Sequence, residues 1–404
     1  MPKPPLSVFM MDMLSIVPYY TCSLAKAIQD EGVSMVVGAM TYDLDKACFK
    51  RFEIKNNPGL LDYVGRSRVS STSLRRAMKV AEESLNLLIM SLWYLKSRPD
   101  IIHIQHLPLF AKRLPIESLF LWYARKLGIK LVYTVHNVLP HDTGANQKER
   151  FGRLYRTMDR IICHSQPVQQ RLVAEFGVDP QRTDIIPHGP LFRVEQASQM
   201  PCADPVNEKA DCLVVCHGMI RPYKGVDFLL EVWSRVESMG IRTRLVIAGL
   251  CETQYANELI SKAKNLGLQS VYFDFRFLPV EEMLALLGDS DILVYPYREI
   301  TTSGALMTGI AQRKAIVASD LIPFRQVLRS GESGLLIPYG DAERWARALA
   351  QLAGDASERE KMARASKTAI LDDDWSAIAQ KTIHSYRQVM PINSRAGVPH
   401  GQLC

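Results

Sequence analysis

Residues 217–225 read HGMIRPYKG, between an apolar run, CLVVC, and a helical pattern, VDFLLEVWSRVESMG. Arg221 and Lys224 stand between two glycines there. A guanidinium forks onto two phosphate oxygens, an ammonium adds a point charge, and glycine lets the backbone approach a ligand closely. In open α/β sheets the ligand sits beyond the carboxyl ends of the strands, at a helix start. With Gly218, Arg221 and Lys224 in that place, the expected ligand is a diphosphate. A basic loop after a strand is more commonly solvated surface, so a second feature has to agree. It lies at 295–319, YPYREITTSGALMTGIAQRKAIVAS, where Thr301, Thr302, Ser303 and Gly304 separate a strand pattern from a helix. Hydroxyls and N–H groups at a helix start bind anions, although Ser or Thr there is also an ordinary cap.

Such loops need sheets to carry them. Short apolar runs alternate with helical patterns almost throughout, which predicts βαβ units and parallel sheets. At 404 residues the chain exceeds one ordinary core. Residues 191–210, with three prolines between 190 and 205, break the rhythm. The expected fold is α/β: two Rossmann-like doubly wound domains, 1–190 and 211–374, facing a central cleft. Trp375, Ile378, Ile383 and Tyr386 share a helical face, so residues 375–390 are expected to dock, with the first domain as the candidate surface. Residues 391–404 read as a disordered tail.

Composition narrows the partners. A formal charge of +7 could serve a polyanion, but no helix-turn-helix, zinc-finger or RNP-like pattern occurs, so nucleic acid is not expected. Eight cysteines show no metal or redox spacing, and no signal peptide is evident. A cytoplasmic chain without metal or cofactor is expected. LNLLIMSLWYL at 85–95 is too short to span a membrane and reads as a buried helix. Basic residues cluster at Arg66, Arg68, Arg75, Arg76 and Lys79, and again at Lys112, Arg113, Arg125, Lys126 and Lys130. The second group, near Phe110, Leu119, Phe120, Leu121 and Trp122, suggests peripheral contact with anionic lipid at the inner face of a membrane.

GMIRPYKG, LVIAGL, SDILVYP, SGAL with AIVASD, and SGLLIPYGD follow one another in an order that resembles the retaining glycosyltransferases of family 4, with the two-domain GT-B fold. RPDIIHIQ, YTVHNV and IIPHGP extend the resemblance into the first half. It implies transfer of a hexose from a nucleotide diphosphate sugar to a hydroxyl acceptor, carbohydrate or lipid-linked, as in polysaccharide or glycolipid assembly. Arg221 and Lys224 would then hold the departing diphosphate, with Thr302, Ser303 and Gly304 donating to it. His136 would touch the donor sugar, with His141 nearby to share or take the role, and Phe275 to Leu278 would border the base. The acceptor would meet first-domain loops, including Tyr19, Tyr20 and residues 140–148. His103, His106 and His164 take structural roles.

Two departures bear on activity. Family members carry a pair of glutamates where Ile300 and Thr308 stand, and a glycine pair where SIVPYYT occupies 15–21. Glu299 is the nearest carboxylate, but one step along a strand turns a side chain around; Thr308 retains a hydroxyl for a ribose. A non-catalytic nucleotide-sugar-binding relative, or a partner subunit of an active transferase, is the alternative; an epimerase is a further one. DLD at 43–45 and DDD at 372–374 imitate a metal motif of another fold and read as solvated turns.

Overall fold

The computed structural model describes residues 6–56, 59–66, 72–139, 147–192, 211–368 and 374–390. The predicted linker from 193 onward, most of the acceptor loop 140–148 and the predicted tail lie outside these residues.

The first domain runs β1 (Ser7–Met11), α1 (Pro18–Asp30), β2 (Ser34–Gly38), α2 (Cys48–Arg51), α3 (Thr72–Trp93), β3 (Ile101–Ile104), α4 (Pro108–Ala111), α5 (Ile116–Lys126), β4 (Lys130–Val135), α6 (Lys148–Thr157), β5 (Arg160–Cys163), α7 (Gln166–Phe176) and β6 (Thr183–Ile185). The second runs β7 (Cys212–His217), α8 (Val226–Ser238), β8 (Thr243–Ala248), α9 (Thr253–Asn265), β9 (Val271–Asp274), α10 (Val280–Asp289), β10 (Ile292–Tyr295), α11 (Gly304–Ala311), β11 (Ala315–Ser319), α12 (Ile322–Arg325), β12 (Leu335–Ile337), α13 (Ala342–Gly354) and α14 (Ala356–Thr368). A last helix, α15 (Trp375–Val389), follows.

Each domain is one six-stranded parallel sheet, in the orders β2-β1-β3-β4-β5-β6 and β12-β11-β10-β7-β8-β9. The apolar runs become strands because helices cover both faces, leaving no side for water. Strand order reverses between β1 and β3, and between β10 and β7. Beyond the carboxyl ends of strands at such a reversal, flanking loops part and leave a crevice. The loops after β7 and β10 are HGMIRPYKG and PYREITTS, so the topology sets the two predicted anion-binding stretches side by side.

Helix α15 packs on α1: Trp375, Ile378, Ile383 and Tyr386 join Tyr20, Leu24 and Ile28 in one core cluster. Asp374 caps it by accepting from the Ala377 N–H at 2.8 Å. The expected buried helix at 85–95 is corrected. It forms the end of α3, with Leu87 and Met90 inward but Leu88 and Leu92 each 58% exposed. DLD is not a solvated turn either: Asp43 pairs with Arg75 and Lys79, and Asp45 with Arg51.

Candidate active site

The walls of the cleft enclose a cavity of about 430 Å³. Its second-domain wall is shaped by three glycine turns. Gly218, just after β7, has φ +94°, and Gly249, after β8, has φ +135°. A Cβ on Gly249 would lie 2.2 Å from the Gly218 carbonyl oxygen, so the two loops cross at van der Waals contact. Gly225, with φ +64°, turns the chain into α8, and a Cβ there would lie 2.0 Å from the Pro296 oxygen. Both positions require glycine for conformation and for space.

Lys224 is buried at 4% exposure. Its ammonium donates to the His217 carbonyl at 3.0 Å and lies 5.3 Å from the centre of the Tyr297 ring. Burial lowers its pKa, since no carboxylate balances the charge. Facing it is the start of α11. The Ser303 hydroxyl caps this helix by accepting from the Leu306 N–H at 3.1 Å. The N–H groups of Gly304 and Ala305, in the first turn, have no intrahelical acceptor. The loops are locked together by His217: its Nε2 lies 2.9 Å from the Tyr295 hydroxyl, which donates to the Ala305 carbonyl at 3.2 Å. That hydroxyl has one hydrogen, so Nε2 of His217 must be the donor. Its Nδ1 is then an unpartnered acceptor in the cavity wall.

The first-domain wall is aromatic: Tyr19, Tyr20, Tyr42 and His188, with Leu191 and Phe192 closing one end. Asp12, just after β1, holds the turn before α1. Its buried carboxylate accepts from the N–H groups of Ile16 and Val17 and from the Thr21 hydroxyl at 2.9, 3.1 and 3.0 Å. This fixes the SIVPYYT loop so that Tyr19 and Tyr20 face the cavity. Tyr19 donates to Asp45 at 2.9 Å, and Arg51 bridges Asp45 to Glu281 of the second domain, the latter at 3.1 Å.

The predicted site residues divide. Gly218, Lys224, Thr302, Ser303, Gly304 and Thr308 all line the cavity, as do Phe277 and Leu278. Arg221 stands apart, half-exposed and 4.0 Å from Glu252. Glu299 is exposed and outside the lining, while Ile300 lines it. Thr308 donates to the Gly304 carbonyl at 2.8 Å, so its hydroxyl is already used within α11.

His136 lies behind the lining. His164 donates from Nδ1 to the Ile186 carbonyl at 3.0 Å, so its Nε2 accepts from Nδ1 of His136 at 3.3 Å. Nε2 of His136 is then an acceptor; it lies 3.0 Å from Gln105 Oε1, and turning that amide end for end supplies the donor it requires. The first-domain histidine at the cavity is His188, which sequence reasoning missed. Its Nδ1 donates to the Gly189 carbonyl at 2.6 Å, and burial drives its pKa down to about 3. Nε2 is therefore a bare acceptor. Tyr20 packs against His136, His164 and His188 alike, with ring centres 4.7 to 5.4 Å apart. Among the described residues, no group of three His, Cys, Asp or Glu side chains is placed to hold a metal.

Two parallel doubly wound sheets about a cleft define the GT-B fold. A crystal structure of Anabaena HepE in complex with UDP and glucose superposes with a TM-score of 0.74 at 16% identity, covering 95% of this chain and 99% of that one. Sucrose-phosphate synthase from Thermosynechococcus elongatus gives 0.70 at 16% identity over 96% and 99%. Residues 17–189 match Glycosyltransferase Family 4, and residues 211–355 match Glycosyl transferases group 1. The chain belongs to the family 4 glycosyltransferases. Curated relatives include a D-inositol 3-phosphate glycosyltransferase from Rhodococcus erythropolis, 25% identical over 66% of this chain and 64% of that protein. Another from Streptosporangium roseum is 23% identical over 67% and 66%. The chain spans just under two thirds of the length of these relatives.

Proposed function

We propose that the chain transfers a hexose from a nucleoside diphosphate sugar to a hydroxyl acceptor with retention of configuration, in polysaccharide or glycolipid assembly. One observation carries this reading: a buried ammonium and a helix start converge on one cavity. The Cβ position of Gly218 lies 2.9 Å from the Lys224 nitrogen and 3.6 Å from Cβ of Ala305, so one diphosphate reaches both. The UDP bound by HepE supports a nucleotide donor.

In this reading the bond from the anomeric carbon to the diphosphate breaks, and the acceptor oxygen bonds to the same face. The acceptor proton passes to the departing phosphate oxygen. Lys224 and the α11 N–H groups stabilise the growing charge; positioning by the lobes supplies most of the rest. No step calls for a metal. The enzyme works from the cytoplasmic side, on a carbohydrate or lipid-linked acceptor.

A second reading, a non-catalytic nucleotide-sugar binder, is favoured by the cavity lining, in which no carboxylate occurs among the described residues. The readings separate in one experiment. The protein is incubated with UDP-, GDP- and ADP-sugars and candidate acceptors, released nucleotide is measured, and the anomeric configuration of the product is read by NMR. A product with the donor's configuration supports transfer. Binding heat without product for any pair supports the second reading, and neither heat nor product removes both.

A further inference from the structure

Helices α3, α5 and α6 share one core cluster with β4 and β5, whereas α1 and α15 belong to the cluster on the other face of the sheet. The three helices therefore form one layer. Its outward side is apolar where water is expected. Leu88 and Leu92 of α3 are exposed, opposite Leu87 and Met90 in the core, and Leu119 and Trp122 of α5 are 61% and 60% exposed, opposite Phe120 and Ala124. This corrects the lipid-facing set suggested by sequence: Phe110, Phe120 and Leu121 are core residues.

Between α5 and α6 runs a groove of about 670 Å³ whose lining includes Trp122, Arg125, Lys126, Arg150 and Arg153 and no carboxylate. Arg150 stacks its guanidinium 4.0 Å from the centre of the Phe110 ring, and its Nη1 is buried without a hydrogen-bond partner. Arg113 and Arg153 add like charge beside it. Lys126 lies 5.8 Å from the Trp122 ring centre, and Arg125 donates to the Thr157 carbonyl at 2.6 Å. Arg153 meets Glu149 only at 4.0 Å with both exposed, which neutralises little. A concave row of cations, offset in part by the buried Glu117 beside Arg150 and by no carboxylate in the groove lining itself, lies beside an apolar strip and fits one kind of surface, phosphate headgroups above hydrocarbon.

We propose that the α3–α5–α6 face docks on a bilayer of anionic lipid, with headgroup phosphates in the α5–α6 groove and Trp122, Leu119, Leu88 and Leu92 in the interface. The end of the groove at Arg150, with Arg113 nearby, follows β4 and β3 at the carboxyl edge of the first sheet, the edge that faces the cavity. A lipid-borne acceptor would thus be met at the lip of the cleft. In naming that acceptor's source the inference rests on the proposed transfer, but docking is measured without any donor, so the two fail separately.

The full chain is sedimented with vesicles of phosphatidylcholine alone and of equal parts phosphatidylcholine and phosphatidylglycerol. Binding to the mixed vesicles only, weakened by salt, is expected. Each basic side chain near an anionic surface contributes about five-fold, so R113Q/K126Q/R153Q lowers the partition coefficient on the order of a hundred-fold. L88S/W122S lowers it roughly ten-fold by removing interfacial apolar area. All five residues are exposed, and an unchanged melting temperature confirms folding. No binding, equal binding to both vesicles, or binding unchanged in either variant overturns the proposal. So does a dimer in light scattering that W122S dissociates, because a second copy would then cover the strip.

Discussion

The two walls of the cleft recognise in different ways. The second-domain wall offers glycine turns, helix-start N–H groups and one buried ammonium from the loops after β7, β8 and β10, with Tyr223, Phe277 and Tyr297 beside them. The first-domain wall offers rings, Tyr19, Tyr20, Tyr42 and His188, drawn from loops far apart in sequence. A wall of N–H groups and one charge suits the constant part of a donor, its diphosphate. A wall of rings and a bare imidazole nitrogen suits a sugar or an acceptor, where shape and hydroxyl placement vary. The difference teaches that binding of nucleotide and transfer of sugar are separable by mutation.

The largest effect should come from Lys224. Lys224→Ala is expected to cut kcat/KM by about 100- to 1000-fold, the cost of removing a preorganised charge from a transition state, and to weaken UDP measured by calorimetry. A variant with wild-type UDP affinity would break the comparison. Next is Gly249→Ala, where the left-handed backbone and the contact with Gly218 should cost more than about 2 kcal/mol in denaturant unfolding.

His188→Ala tests the other wall. Transfer should fall roughly ten-fold, with UDP affinity within about two-fold of wild type. Loss of UDP binding in that variant would assign the diphosphate to both lobes. A smaller effect is expected from pH. The Lys224 pKa is lowered by burial, and only the protonated form attracts a diphosphate. UDP affinity should therefore decline as pH rises through a value below the usual lysine range, and the decline should vanish in Lys224→Met. The smallest effect is that of Glu299→Gln, which should change kcat/KM by less than about two-fold, because its side chain lies outside the lining; a larger loss in steady-state kinetics would place it in the site.

How much of this was legible follows the same division. The sheets, their doubly wound order and the two phosphate-suited loops were readable, since each is a local pattern: a buried run, a turn, a helix start. Gly218, Lys224, Ser303 and Gly304 were found for that reason. His188 was not, because IIPHGP gives no local sign that its imidazole faces a cavity, and His136 at a strand end gave a better one. Arg221 shows the limit of spacing. Three residues from Lys224, it sits on the far side of a single 3₁₀ turn and points outward. The exposed leucines of α3 were hidden by their very hydrophobicity, which reads as core until packing shows which face is covered.

Helix α15 carries one more consequence. It is made after both sheets, yet Trp375 and Tyr386 complete the packing around Tyr20 and His103 of the first domain. Domains ordinarily fold as they emerge, amino end first. Here the α1 face of the amino-terminal domain stays uncovered until α15 has been synthesised. A nascent chain stalled before Trp375 would present to chaperones the flank of the site that it had still to close.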